Sequence, residues 1–437
     1  MGLSRLPFPP RNGDDIAGLA LDAMTKGIPA SAGRLRLGEV GGRGWNLFRG
    51  DLPLPAATLR ADVLSANNAW MTQFLAANGL LIAPHGKTTM APQLYAMQHE
   101  AGAWAITVAT TQQMAVARHF GFPRVIVANQ PTGRASIDAC FDALADGGFE
   151  LYVLADSLAG VAALAAGAGR AENVRRPLGV LVEMGAVGGR TGTRTRAQAL
   201  DVARAVVAAP GLTLSGIECF EGILPDTATV DAMLDDVLAV ASTAVAEGLF
   251  RPATPIVLSA GGSAFYDRVG ERFGPAVFGA REILKVIRSG CYLTHDTIGY
   301  EVAYQRILRE TRLRLPPGRL MPALEVWTSV QSRPEPNKAI LTAGKRDISH
   351  DSHLPVATTW FRPGGAMTGP EPLPAGHVVT ALNDQHAHFT VPADSPLAVG
   401  DMVALGIAHP CTTFDKWDVL PVIDAQGTVI DAVKTYF

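Results

Sequence analysis

The chain has 437 residues, of which 48% are hydrophobic and 18% are charged, so it can bury a large core and wholesale disorder is excluded. Its 37 Lys and Arg residues nearly balance 40 Asp and Glu residues, and the net charge of −3 gives no attraction toward nucleic acid or an anionic membrane. Four scattered cysteines without a CxxC pair fit a reducing compartment. The N-terminus carries no apolar signal segment, and no stretch reads as a membrane span. We therefore expect a cytoplasmic globular protein.

Short runs rich in Val, Ile and Leu recur through the first two thirds of the chain. They are too short for ordinary helices, and continuous apolarity is typical of strands that are buried on both faces. The eight runs are Leu80–Pro84, Ile106–Ala109, Val125–Asn129, Leu151–Ala155, Leu178–Glu183, Leu214–Phe220, Ile256–Ala260 and Ile283–Ile287.

Segments with helical spacing lie between these runs: Pro92–Gly102, Thr111–Phe120, Ala135–Ala145, Leu158–Ala168, Arg196–Ala208 and Val230–Glu247. The alternation predicts an α/β fold, and eight strand–helix units indicate a TIM-type (β/α)8 barrel over residues 50–310. An open doubly wound sheet uses the same alternation, but the count of eight favours the barrel.

The amino-acid composition changes after about residue 310, where proline and glycine become frequent and no long helical pattern remains. Short β-type runs appear at Leu324–Val330, Ala339–Thr342, His377–Ala381 and Met402–Gly406. We predict a second, mainly β domain over residues 311–437, to which part of residues 1–49 belongs.

The first predicted strand ends in Pro84-His85-Gly86-Lys87-Thr88-Thr89. Reactive groups of a parallel barrel gather at the C-terminal ends of its strands, and a desolvated lysine there can form a Schiff base with a carbonyl compound. The alternative is an ordinary surface lysine. A P-loop is excluded, because the motif requires glycine at position 81, which is Leu81.

Two further strand ends carry candidate ligands of an anion. The seventh strand ends in a small-residue segment that contains Gly261, Gly262 and Ser263, where backbone N–H groups and a hydroxyl could bind a phosphate. The alternative is a plain glycine turn. Arg190 follows the fifth strand among glycines and could hydrogen-bond an anionic oxygen.

His409 and Cys411 stand on alternate residues of the C-terminal domain, so an extended segment would point both toward one metal ion. Two ligands leave the site incomplete, and His386 and His388 could contribute to it. The other cysteines, Cys140, Cys219 and Cys291, are predicted to be core fillers.

With these motifs, the chain resembles the fold-type III pyridoxal-phosphate (PLP) enzymes, which share an alanine-racemase-like barrel, and within them the D-serine dehydratase and D-threonine aldolase group. The resemblance runs from about residue 50 to the end. It implies a lysine-bound cofactor on Lys87 within PHGKT, Arg190 facing the cofactor phenolate, and a phosphate loop in LSAGGS. It also implies Tyr292 of RSGCY near the phosphate, and His85 beside the cofactor.

His409 and Cys411 match the His-x-Cys signature of the zinc-dependent D-serine dehydratases, whereas the D-threonine aldolases carry His-x-Asp. The resemblance therefore implies a divalent metal, with zinc favoured, and a dehydratase (deaminase) of small β-hydroxy D-amino acids such as D-serine or D-threonine that gives a 2-oxo acid and ammonia. It also implies a homodimer. An aldolase that gives glycine and an aldehyde, a metal-free racemase and a non-catalytic PLP-binding protein remain as alternatives.

The chain departs from the group's pattern at three places. Thr89 and Met90 replace the usual continuation of the lysine motif, Phe220 stands where relatives carry a tyrosine after the sixth strand, and Asp384-Gln385 replace a glutamate pair. These departures place the chain in a divergent branch, within the broader amino-acid deaminases.

Overall fold

A computed structural model describes residues 2–3, 6–8, 15–172, 174 and 176–437. The N-terminal part contributes three strands and three one- or two-turn 3-10 helices. The strands are β1 (Ala20–Leu21), β2 (Leu35–Arg36) and β3 (Ala56–Arg60), and the 3-10 helices are Ile16–Gly18, Ala30–Ala32 and Leu37–Gly42.

Eight parallel strands follow, at the places where the sequence predicts them. They are β4 (Leu81–Ile82), β5 (Ile106–Val108), β6 (Arg124–Val127), β7 (Glu150–Ala155), β8 (Leu178–Met184), β9 (Leu212–Cys219), β10 (Ile256–Ala260) and β11 (Ile283–Ile287). They pair in the order β4-β11-β10-β9-β8-β7-β6-β5. A parallel bridge between His85 and Thr107 joins the two ends of this series, so the sheet curls into a TIM-like barrel. The predicted fold class is confirmed.

Helices cover the outside of the barrel: α1 (Ala61–Asn78), α2 (Pro92–Glu100), α3 (Thr111–His119), α4 (Arg134–Leu144), α5 (Leu158–Arg170), α6 (Arg196–Ala208), α7 (Thr227–Ala246), α8 (Tyr266–Phe273) and α9 (Gly299–Glu310). Ser157, Thr195 and Asp226 cap α5, α6 and α7, since each side chain accepts a hydrogen bond from a first-turn N–H. The sequence prediction lacked α1, α8 and α9. No helix of the residues described above is long and apolar enough to span a membrane.

Antiparallel strands make up most of the C-terminal part: β12 (Leu324–Glu335), β13 (Lys338–Leu341), β14 (Val356–Phe361), β15 (Glu371–Pro372), β16 (Val378–Leu382), β17 (Ala387–Thr390), β18 (Met402–Gly406), β19 (Val419–Ile423) and β20 (Val429–Lys434). The short helix α10 (Cys411–Phe414) lies between β18 and β19. The N-terminal β3 pairs with both β12 and β19, so the chain enters the barrel from this sheet. The boundary at residue 310 stays a prediction.

Candidate active site

Lys87 lies in a one-turn 3-10 helix, Gly86–Thr88, which follows the first barrel strand. The turn packs closely on α2, because the Tyr95 hydroxyl donates to the Gly86 carbonyl at 2.7 Å. A Cβ atom on Gly86 would lie 2.7 Å from the Tyr95 ring. Glycine is therefore required here, and the close approach positions the partly exposed Lys87 at the barrel mouth.

We expect Gly86→Ala to lower the free energy of unfolding by about 1–3 kcal/mol, because the added methyl must displace the buried Tyr95 ring or the turn itself. The displacement should also weaken PLP binding. Urea unfolding followed by circular dichroism measures the first effect, and titration with PLP measures the second. Gly169→Ala is the matched control, since a Cβ there, within helix α5, meets no atom within 4 Å. Equal stability of both variants would contradict the expectation.

A parallel β-bridge to Thr107 holds the backbone of His85 at the point where the first and last strands of the series close the barrel. The Nδ1 atom of His85 is buried and has no hydrogen-bond partner among the residues that the structure describes. Burial lowers the pKa of His85 well below its usual value, and the positive charges of Lys87, Arg288 and Arg190 lower it further. The imidazole is therefore neutral at physiological pH, and these three cations surround it.

Arg190 lies in the loop after β8, and its guanidinium carbon is 4.5 Å from the centroid of the Phe220 ring. Phe220 directly follows β9. The structure thus brings together two positions that the sequence analysis singled out separately. The assignment of Arg190 to the cofactor phenolate stays a prediction.

The backbone N–H groups of Gly261 and Gly262 already hold a carboxylate. They donate to the two Glu221 oxygens at 3.0 Å and 2.6 Å. This contact shows that the loop can bind an anion, as a phosphate site requires. A phosphate could use these two donors only if Glu221 released them. Burial raises the pKa of Glu221 above its usual value, which favours its neutral form. The sequence analysis missed Glu221.

Two buried hydroxyl groups differ in their relation to this loop. The Tyr292 hydroxyl donates to Asn68 on α1 at 3.0 Å, so it is engaged with the outer helix layer. The Tyr300 hydroxyl is also buried, and it makes no full hydrogen bond within the part of the chain that the structure describes, although Ser263 lies near enough to lower its pKa against the larger rise caused by burial. A buried hydroxyl with free hydrogen-bonding capacity next to the loop could contact a phosphate. The role predicted for Tyr292 stays a prediction.

His409 and Cys411 lie at the junction of the C-terminal sheet and the barrel. The Nδ1 atom of His409 is 2.6 Å from Asp351 Oδ2, which leaves the other ring nitrogen for a different partner. Cys411 Sγ is 3.3 Å from Thr88 Oγ1, the hydroxyl of the residue after Lys87. The contacts with Cys411 and Asp351 raise the pKa of His409 to about 9, so a metal that binds there at neutral pH displaces a proton.

Cys291 is partly buried and packs against the hydrophobic core, and it also has neighbours that the sequence did not indicate. Its Sγ atom lies 3.9 Å from Cys411 Sγ and 3.7 Å from Thr88 Oγ1, because the end of β11 turns into the short helix Cys291–Leu293 beside the lysine turn. Cys140 and Cys219 are fully buried, as predicted.

The side chains around Cys411 fit a soft or borderline metal ion, because they combine sulfur with a histidine. The Asp351 carboxylate fixes the tautomer and the orientation of that histidine. His388 lies elsewhere on β17, with its ring bonded to the Asn383 side chain at 2.8 Å. Among the residues that the structure describes, no group of three or more His, Cys, Asp and Glu side chains forms a ready-made metal site. Metal ligation by His409 and Cys411 therefore stays a prediction.

A cavity of about 490 Å³ opens at the C-terminal ends of β5, β6 and β7. Its wall includes Thr110, Asn129, Gln130, Asp156 and Thr191. Such a cavity, with several polar groups along one edge of the barrel mouth, is of the size that binds small molecules.

Comparison with known proteins relates this geometry to characterised enzymes. Residues 323–423 match the family described as "Putative serine dehydratase domain". The 3-hydroxy-D-aspartate aldolase of Paracoccus denitrificans (strain Pd 1222) is 28% identical over 316 residues, which cover 70% of this chain and 75% of the aldolase. In sequence, the chain is therefore similar to an aldolase of a β-hydroxy D-amino acid, and its C-terminal part is similar to a serine dehydratase domain.

Several solved structures share the architecture of this chain. The D-threonine aldolase of Filomicrobium marinum superposes with a TM-score of 0.72 at 20% identity, over 90% of this chain and 97% of the aldolase. The D-threo-3-hydroxyaspartate dehydratase of Delftia sp. HT23 gives a TM-score of 0.67 at 20% identity, over 90% of this chain and 99% of the dehydratase. A cysteine-to-alanine mutant of a D-threo-3-hydroxyaspartate dehydratase is known in a metal-free form. The predicted alanine-racemase-like fold is confirmed.

Proposed function

We propose that the chain is a PLP- and metal-dependent lyase that eliminates water from β-hydroxy D-amino acids such as D-serine or D-threonine, after which hydrolysis of the released enamine gives a 2-oxo acid and ammonia. One observation carries the proposal: Cys411 of the His-x-Cys segment lies 3.3 Å from Thr88, next to Lys87. A metal held by His409 and Cys411 would thus lie beside the amine that handles the Cα proton. Relatives named as a dehydratase and as aldolases of β-hydroxy D-amino acids support the substrate class.

PLP, when bound, supplies an aldehyde for the substrate amine and a ring that delocalises the electron pair left at Cα. Lys87 would hold the cofactor at rest, and its freed amine would take the Cα proton of the substrate. His85 stays neutral because burial, and then the cations around it, lower its pKa, so it packs in the site without competing for that proton. Arg190 would steady the phenolate oxygen, and Gly261, Gly262 and Ser263 would hold the phosphate.

His409 and Cys411 would hold a divalent metal, zinc by the choice of donors, and the metal would act as a Lewis acid at the β-hydroxyl. Asp351 fixes the His409 ring through the 2.6 Å contact at Nδ1, and Thr412 Oγ1, 2.9 Å from Oδ1, steadies that carboxylate in turn. These outer contacts fix the orientation of the histidine ring.

Aldol cleavage at the same place is the second candidate function. It is favoured by the 28% identity to a 3-hydroxy-D-aspartate aldolase. The two reactions need the same substrate and the same lysine, and they differ in whether the C–O or the Cα–Cβ bond breaks. The cysteine at position 411 favours the dehydratase.

Product analysis with D-threonine separates the two functions. We expect PLP-loaded protein to release ammonia and 2-oxobutyrate, and we expect EDTA to abolish the release because the β-hydroxyl then has no Lewis acid. L-threonine is the control substrate and should remain unchanged. Glycine with acetaldehyde would establish the aldolase instead. No turnover of any β-hydroxy D-amino acid would indicate a non-catalytic PLP-binding protein.

We also propose a homodimer in which the C-terminal sheet of one subunit covers the barrel mouth of the other. Light scattering of the PLP-loaded protein tests this assembly directly, and a monomeric mass would contradict it.

A further inference from the structure

Two thiols from distant parts of the chain meet next to the lysine turn. Cys291 follows the last barrel strand and Cys411 begins α10, yet their sulfur atoms are 3.9 Å apart. Thr88 Oγ1 contacts both, at 3.7 Å and 3.3 Å. The barrel and the C-terminal sheet thus each contribute one sulfur donor to the same place.

A histidine completes this cluster. His409 lies two residues before Cys411, and Asp351 holds its Nδ1 atom at 2.6 Å. A histidine whose second nitrogen bonds to a carboxylate is the usual arrangement of a metal ligand, because the carboxylate fixes the ring's tautomer and orientation.

We infer that Cys291 is a third protein ligand of the metal, so that the site has two sulfurs and one nitrogen. The inference rests on the proposed function, because it concerns the metal proposed there. Two Zn–S bonds of about 2.3 Å at the tetrahedral angle place their sulfurs about 3.8 Å apart. The observed 3.9 Å matches this spacing and exceeds the about 2 Å of a disulfide.

The three side chains are adjacent without yet forming a ready-made site. Thiols must lose their protons before they bind a metal, so metal binding and the final arrangement of these donors are coupled. Two cysteines and one histidine are the ligand set of a catalytic zinc site whose fourth position stays open. That position would take the substrate hydroxyl, and two thiolates would select zinc over magnesium or manganese.

Cobalt substitution tests the inference without any amino-acid substrate. Metal-free full-length protein is titrated with Co²⁺, and the sulfur-to-cobalt charge-transfer absorption is recorded, since its intensity reports the number of bound thiolates. We expect two thiolates in the wild type, about half the intensity in Cys291→Ala and in Cys411→Ala, and none in the double variant. Cys140→Ala removes a buried thiol of α4 and should leave the spectrum unchanged.

Zinc affinity, from competition with a chelator, gives a second measurement. We expect Cys291→Ala and Cys291→Ser to bind zinc at least about tenfold more weakly than the wild type, with unchanged circular dichroism. Full charge-transfer intensity or unchanged zinc affinity in the Cys291 variants would overturn the inference.

The outcomes separate the two proposals. A wild type that binds cobalt through one thiolate and still dehydrates D-threonine would refute the role of Cys291 and leave the proposed function standing. A wild type that binds cobalt through both thiolates but turns over no amino acid would support the ligand and refute the function.

Discussion

Replacing Lys87 by alanine is expected to abolish turnover and the visible absorption of lysine-bound PLP. Lys87 is the lysine of the turn that Gly86 and Tyr95 hold at the barrel mouth, so alanine removes both the covalent attachment of the cofactor and the base for the Cα proton. Loss of positioned proton transfer alone costs about 10²–10⁴-fold in rate. Absorption spectra after incubation with PLP, together with the ammonia assay, measure the two effects.

Lys338→Ala is the control for this experiment. Lys338 lies on β13 of the C-terminal sheet, 3.8 Å from Glu335, and its removal should leave both the spectrum and the rate unchanged. A Lys87→Ala protein that kept the visible band and full activity would refute the assignment of the cofactor to Lys87.

Arg288→Leu is expected to lower the free energy of unfolding by about 3–5 kcal/mol, because it leaves the buried Glu218 carboxylate without its partner. Arg288 is 3% exposed and Glu218 is 0% exposed, and their charged groups are 2.6 Å apart. Arg288 also donates to Ser259 Oγ at 2.7 Å and to the Cys219 carbonyl at 3.0 Å, so it ties three neighbouring barrel strands together. Urea unfolding measures the loss.

The loss should depend on pH. Burial raises the pKa of Glu218, and Arg288 opposes that rise, so the variant raises it further. A carboxyl whose pKa is higher in the folded than in the unfolded chain adds stability at low pH, and this stability disappears as the pH rises through the folded pKa. We therefore expect Arg288→Leu to be less destabilised at pH 5 than at pH 9. The double variant Arg288→Leu, Glu218→Gln should lose this pH dependence, and an equal loss at both pH values in the single variant would contradict the argument.

Much of the barrel was predictable because its strands are buried on both faces. Every residue of Leu178–Met184 and of Ile256–Ala260 is buried, and that burial is what a continuous apolar run indicates. Helices α8 and α9 escaped prediction because they are rich in charged residues, whereas the predicted helices were recognised as alanine-rich segments. Arg306 of α9, for example, binds the buried Asp267 of α8 at 2.6 Å. Both helices nevertheless bury one apolar face, at Val269 and Phe273 of α8 and at Tyr300 and Ile307 of α9.

The sequence by itself determined the local chemistry: a lysine at a strand end, a glycine loop suited to an anion, and a histidine and a cysteine two residues apart. Each depends on neighbours in the chain, because strand ends and short motifs are local features. Their order along an eight-strand pattern was enough to indicate the family.

Only the tertiary structure decided which residues from distant parts of the chain lie beside these local motifs. Cys291 and Cys411 are separated by 120 positions, and Glu221 reaches the glycine loop from 40 positions away. No periodicity encodes such contacts, because they depend on how the strand ends meet after the barrel closes and on where the C-terminal sheet packs. For the same reason, the sequence did not indicate that the Tyr292 hydroxyl donates to Asn68 of α1.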